Sequence, residues 1–350
     1  MNLEPATVRI VVGAALAAAP PNVDDAADVS TRGGGDKPRP YADRSVLALL
    51  IVVFVVAAIG CGKARSGKHL IGFSQCNLGE PWRVQMNADV KAAAAEHPEI
   101  EMIWKDAQND TLKQRAHVEE LVSAGVDLIL VSPKEAAPLT EPVAKAMDAG
   151  IPVIVLDRKV LGDRYTAFIG ADNVAIGRAA GKWLAGALEG KGKTIVELEG
   201  LMTSTPAQDR HSGFLAGIEG GGLDIAFTAD MKWLEPDARR EMESALARLP
   251  KIDAVYAHND PGAHGAYLAA KAAGREEEML FVGIDALPQE GVAYVKQSIL
   301  DATFQYPTGG REAIDTALAI LRGETPPKEI TLGSRVFVAG NVESGGEPIQ

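Results

Sequence analysis

Cysteine is nearly missing from this chain: its 350 residues hold two, Cys61 and Cys76. A disulfide framework of the kind that staples small secreted domains is excluded, so stability has to come from a packed core. Positive charge is not in excess either. Asp and Glu number 47 against 35 Lys and Arg, a formal net charge of −12 at pH 7. Such a balance argues against a nucleic-acid partner, because phosphate binders displace counterions with clustered Lys and Arg. A small neutral or polar ligand fits better. Long hydrophobic runs are also lacking: the apolar stretch Val46 to Ile59 falls short of the ~20 residues a comfortable transmembrane helix needs.

Enzyme fingerprints are absent as well. No G-x-G-x-x-G opens a helix after the first predicted strand, and no G-x-S-x-G elbow occurs. GKGKT (190–194) has Ala187 where a phosphate loop needs Gly, and it precedes a strand instead of following one. His258 and His264 have no Cys or carboxylate set nearby at zinc spacing. Each reads as a satisfied loop histidine, and no metal or other cofactor is expected.

The front of the chain reads as an export signal. Arg44 to Cys61, RSVLALLIVVFVVAAIGC, has a basic start, an apolar core of signal-peptide length, then Gly60 and Cys61. The small residue before a cysteine resembles the lipobox of bacterial lipoproteins, although Ala58 stands where Leu is usual. That resemblance implies a lipoprotein-type signal over 44–61, acylation of Cys61, and a linker over 62–68. A plain secreted protein or an uncleaved anchor is the alternative. Residues 1–43 are Ala-, Pro- and Gly-rich and lack apolar periodicity after Ala19. They read as a disordered extension or as the product of a start codon set too early. With Cys61 acylated, Cys76 is a lone packing thiol.

Beyond the linker, short β-rich runs alternate with Ala-rich helical stretches. The predicted strands are 70–74, 101–105, 127–131, 151–156, 166–170, 193–199, 224–228, 253–258, 280–285 and 301–305. The predicted helices lie over 82–97, 112–124, 136–149, 174–188, 239–249, 261–273 and 308–321. Continuous apolar strands alternating with helices imply parallel βαβ units, hence an α/β fold with doubly wound parallel sheets. So many strands exceed one comfortable sheet, and two lobes are the economical solution.

In such sheets the ligand crevice lies beyond the carboxyl ends of the strands. There each apolar run gives way to hydrogen-bonding residues: Ser74-Gln75, Asp106, Asp157-Arg158, Asn259-Asp260, Asp285 and Gln305. Asp157 and Arg158 directly follow the run IPVIVL, and an apolar core would not tolerate them unpartnered. Polar ends in both halves suggest one polar cleft between lobes. A sugar suits it, since hydroxyls need paired donors and acceptors while C–H faces stack on aromatic rings such as Trp82 and Trp233. Packing within a lobe is the alternative for each Trp.

The stretches GFSQ (72–75), WR (82–83), VLDR (155–158), ADN (171–173), AQDRHSGF (207–214), VYAHND (255–260) and VGID (282–285) resemble the sugar-binding periplasmic proteins of ABC importers. The wording is similar to the ribose- and galactofuranose-binding branches of that family, which has the type I periplasmic binding protein fold. The resemblance covers roughly 69–340. It implies two lobes joined by three crossings, the first over 69–171 plus 306–332 and the second over 172–305 plus 333–345. Carried over by motif, Asp157 and Arg158 grip hydroxyls, with Arg210, Asn259, Asp285 and Gln305 as further polar contacts. Trp82 and Trp233 stack on the sugar, and Arg83 is a polar contact of the galactofuranose kind. Ser74, Gln75 and Asp106 complete the expected set.

The function implied is a lipid-anchored, monomeric, periplasmic or cell-surface protein that closes over a monosaccharide and presents it to a membrane permease. A sensory receptor signalling to a kinase or chemoreceptor is the second reading. The third is a carbohydrate-acting enzyme with Asp157 and Asp285 as its carboxylates. Against it, an adjacent arginine favours the ionised carboxylate, whereas a catalytic acid needs a raised pKa.

Overall fold

The computed structural model describes residues 67–189 and 192–349. Cys61, the segment 44–61 and residues 1–43 lie outside the described residues. The chain runs β1 (His69–Gln75), α1 (Pro81–Ala95), β2 (Ile100–Asp106), α2 (Thr111–Ala124), β3 (Leu128–Ser132), α3 (Ala136–Asp148), β4 (Val153–Leu156) and β5 (Ala167–Ala171). It continues through α4 (Asn173–Ala187), β6 (Thr194–Glu199), α5 (Thr205–Ile218), β7 (Asp224–Asp230), α6 (Glu235–Arg248), β8 (Ala254–Ala257), α7 (Asp260–Ala272) and β9 (Leu280–Asp285). Last come α8 (Gly291–Lys296), β10 (Ala302–Gln305), α9 (Gly310–Leu321), β11 (Glu329–Leu332), β12 (Arg335–Val338) and β13 (Glu347–Pro348).

Among the described residues these strands form two sheets, ordered β11-β5-β4-β3-β1-β2 and β13-β12-β10-β9-β8-β6-β7. Each carries the same winding, in which the first strand of the half sits between its second and third. That arrangement makes a topological switch point in each sheet, β1/β3 in one and β6/β8 in the other. All pairings in the first sheet are parallel, and in the second only β12 and β13 run antiparallel to their neighbours. The chain passes between the sheets three times, after β5, after β10 and after β11.

Why the central strands read as apolar runs is plain from their burial. LILVS of β3 and VIVL of β4 are buried at every position, as parallel strands covered by helices on both faces must be. The helices are fixed by local chemistry. Asp110 caps α2 by accepting from the Leu112 and Lys113 amides, and Gly125 closes it in the left-handed conformation.

Three short strands, β11 to β13, and two helices, α5 and α8, were not legible as elements in the sequence. The strands are short and half exposed. Helix α5 lacks a broad apolar stripe because it meets α4 through glycines instead of large side chains. A Cβ on Gly177 would lie 2.3 Å from the Arg210 carbonyl oxygen, and one on Gly213 would lie 2.2 Å from that of Val174. Backbone contact this close fixes α5, and with it Arg210.

Candidate functional site: a polar cavity between two sheets

A small polar cavity is lined by Glu80, Trp82, Arg83, Asp157, Arg158, Pro206, Arg210, Trp233, Asn259, Asp285 and Tyr306. Each comes from the carboxyl end of a strand or from the loop and first helical turns that follow it.

The first wall is built around Asp157. Arg83 Nη1 lies 2.7 Å from Asp157 Oδ2, and Arg158 Nε lies 3.6 Å from the same oxygen. Arg83 also donates to Ser132 Oγ at 2.7 Å, and Arg158 Nη1 donates to the Lys134 carbonyl at 3.0 Å. The charges that follow IPVIVL are therefore buried against one another, which offsets the desolvation that an isolated charge would suffer. Burial works against the Arg83 charge, but Asp157, Cys76 and Glu80 together outweigh it and the guanidinium pKa rises.

On the second wall, Arg210 Nε donates to Asn173 Oδ1 at 2.9 Å and Nη1 donates to the His258 carbonyl. Asp285 Oδ1 stands 3.9 Å from Arg210 Nη1. Burial pushes the Asp285 carboxyl well above its usual range; Arg210 opposes that shift, while Asp260 adds to it. Behind the wall the Gly200 amide donates to His258 Nδ1 at 3.1 Å, so the proton sits on Nε2, which donates to Glu197 Oε1 at 3.0 Å. Burial lowers the His258 pKa and keeps the ring neutral. His264 is likewise paired, to Glu235 at 2.9 Å. Glu197, Glu199 and His211 could offer three metal-ligand atoms within 4.8 Å, but they already bond one another, with His211 Nδ1 3.0 Å from both Glu197 oxygens.

Two indoles complete the cavity. Trp82 Nε1 donates to the Tyr306 carbonyl at 2.7 Å, and its ring lies 5.3 Å from that of Tyr306. Trp233 carries two guanidinium groups at its ring, Arg158 at 5.3 Å and Arg210 at 5.4 Å, within cation–π range. Three lining residues hold positive φ without being glycine: Asp157 at 63°, Trp233 at 70° and Asp285 at 129°. Conformations of this kind cost ~1–3 kcal/mol each and persist where the surroundings impose them, often at functional sites.

Of the residues singled out from the sequence, Trp82, Arg83, Asp157, Arg158, Arg210, Trp233, Asn259 and Asp285 meet in this cavity. Asn259 does so with both ends of its amide engaged: Oδ1 accepts from the Gly262 amide as the cap of α7, and Nδ2 donates to the Trp233 carbonyl. Ser74, Gln75, Asp106 and Gln305 do not line the cavity. Gln75 is turned into the first lobe, where it bonds Asn87 and the Cys76 amide, and Asp106 accepts from Gln108 on the edge strand. Gln305 ends β10, and the next residue, Tyr306, is the one that reaches the cavity. Side chains alternate along a strand, so a one-residue difference selects the opposite face. Glu80, Pro206 and Tyr306 were missed. Glu80 was visible only as a carboxylate beside Pro81-Trp82.

Two like-wound sheets enclosing a polar, arginine- and tryptophan-lined cavity define a ligand-enclosing α/β binding protein. The chain belongs to the family of the periplasmic binding protein domain, whose model matches residues 71–325. The ribose import binding protein of Bacillus subtilis is 32% identical over 263 residues, covering 75% of this chain and 84% of that protein. The galactofuranose-binding protein of Escherichia coli is 29% identical, covering 81% and 92%. Among solved structures, the fructose-binding periplasmic domain of a hybrid two-component system superposes with a TM-score of 0.76 at 46% identity, covering 79% of this chain and 92% of that one. The family is one of binding proteins, not of enzymes, and implies a periplasmic or extracellular location. No helix of the described residues is long and apolar enough to cross a membrane.

Proposed function

We propose that this chain is the solute-binding component of an ABC-type sugar importer, capturing a monosaccharide of the ribose or galactofuranose kind by closure of two lobes. The observation that carries this reading is the meeting of Asp157 and Arg158 with Arg210, Trp233 and Asp285 around one cavity. A ligand that touches both walls binds the closed arrangement better than the open one, and only such differential affinity drives closure. The lobes are residues 69–171 plus 306–332 and residues 172–305 plus 333–345, hinged at the three crossings. Asp157, Arg158, Arg210 and Asp285 hold hydroxyls, Trp82 and Trp233 meet the C–H faces, and Arg83 and Asn259 hold Asp157 and Trp233 in place. Anchoring by an acylated Cys61 and action as a monomer belong to the same proposal.

A sensory role is the second reading, favoured by the likeness to a periplasmic domain of a hybrid two-component system. A thermal-shift screen against ribose, galactose, arabinose, fructose and inositol tests ligand class, because a ligand of the folded form alone raises the melting temperature. No shift with any of them at millimolar concentration would sink the sugar reading.

A further inference from the structure

Trp233 is 5% exposed and lines the cavity, yet its indole Nε1 has no hydrogen-bond acceptor in the protein. Trp82 differs, since its Nε1 is spent on the Tyr306 carbonyl. A buried N–H without an acceptor is costly, and the fold goes to some length to keep this one where it is. The Trp233 backbone is held at positive φ, its carbonyl is pinned by Asn259, two guanidinium groups sit at its ring, and a Cβ on Gly200 would lie 2.4 Å from the indole. A ring wanted only as an apolar face could have been Phe with no orphaned donor. Arg158 Nε, a second buried donor lacking an acceptor, belongs to one of those two guanidinium groups.

We propose that the Trp233 indole N–H donates a hydrogen bond to a ring or hydroxyl oxygen of the bound sugar, so that Trp233 determines specificity by polarity as well as by shape. This rests on the sugar-binding reading of the cavity. Beside it, Arg158 Nε supplies a donor to an adjacent oxygen, so the ligand edge facing Trp233 and Arg158 is rich in acceptors. A sugar deoxygenated at the oxygen facing Trp233 leaves the indole unpaired and is rejected.

The test is calorimetry on wild type and Trp233→Phe, using the best binder among ribose, arabinose, galactose, fructose and inositol, together with its monodeoxy and carba (ring O to CH₂) analogues. Trp233→Phe, melting as cooperatively as wild type, is expected to bind the parent sugar about 5- to 50-fold more weakly. One analogue should lose a similar factor against wild type and nothing further against the variant. On the unmodified protein, titration of the same sugar should move one indole ¹⁵N–¹H resonance downfield, a readout that stands even if the variant fails to fold. Equal losses for every analogue in both proteins, with no indole resonance shifted, would overturn the inference and leave sugar binding intact. If wild type binds none of the sugars, the functional reading falls and takes this inference with it.

Discussion

The Tyr306 hydroxyl donates to the Asp157 carbonyl at 3.1 Å, tying the segment after β10 to the turn after β4. Asn173 Nδ2 donates to the same hydroxyl at 3.5 Å, and Asn173 Oδ1 accepts from Arg210. A chain of hydrogen bonds thus joins Asp157 on one wall to Arg210 on the other, through residues at two of the crossings between sheets. Burial drives the Tyr306 pKa upward, which keeps the hydroxyl protonated as the donor this chain requires.

Tyr306→Phe should therefore weaken ligand affinity by several-fold without removing a group that faces the sugar through a charge. The expected stability loss is ~1 kcal/mol, the net worth of a hydrogen bond. Calorimetry and a urea midpoint on the same preparation separate the two effects. Unchanged affinity with lowered stability would confine Tyr306 to a structural role.

Arg158→Ala should abolish measurable sugar binding while the protein still melts cooperatively. Arg158 is held by the Lys134 carbonyl, Asp157 and the Trp233 ring, so its loss empties one corner of the cavity without opening a core. Asp157 keeps its shorter pairing with Arg83. Affinity within threefold of wild type by calorimetry would remove Arg158 from the site.

Much of this was legible because it lies in period and position. Uninterrupted apolar runs gave the buried strands, and their polar ends pointed to Asp157, Arg158, Asn259 and Asp285. What stayed hidden lies in backbone geometry and strand phase. No residue pattern announces that Asp157, Trp233 and Asp285 take positive φ, and Tyr306 instead of Gln305 faces the cavity because of a one-residue phase. Nor could the sequence tell that Asn259 spends its amide on holding Trp233, since a cap and a ligand contact look alike until their partners are known.

Arg83→Met should be among the more destabilising single changes in the first lobe. Arg83 and Asp157 are both almost wholly buried, and breaking such a pair from one side typically costs ~3–5 kcal/mol because it strands the remaining charge. Arg158, at 3.6 Å, softens the loss. The double variant R83M/D157N removes the stranded Asp157 charge but leaves buried Arg158 without that carboxylate, so it should recover only part of the urea midpoint. A double variant no more stable than R83M would show that the stranded Asp157 charge does not set the cost.

Glu290 gives a pH dependence with a definite sign. Its carboxyl is pushed up to about 7, by burial first and then by Asp260 and Glu235, and its Oε2 is buried without a hydrogen-bond partner. The ordinary value is 4.5, so between pH 4.5 and about 7 the folded state holds a proton that the unfolded chain has released. Stability contributed by the protonated form is complete below 4.5 and is lost as pH rises through 7. Glu290→Gln keeps the shape and cannot ionise. It should raise the melting temperature at pH 8, with the gain shrinking toward zero at pH 4. Asp260, raised to about 6 by burial, titrates in the same direction, so the variant retains a shallower slope instead of none. Paired melting curves from pH 4 to 8 check this. A gain independent of pH would mean that Glu290 is ionised throughout that range and that its neighbours do not hold the proton on.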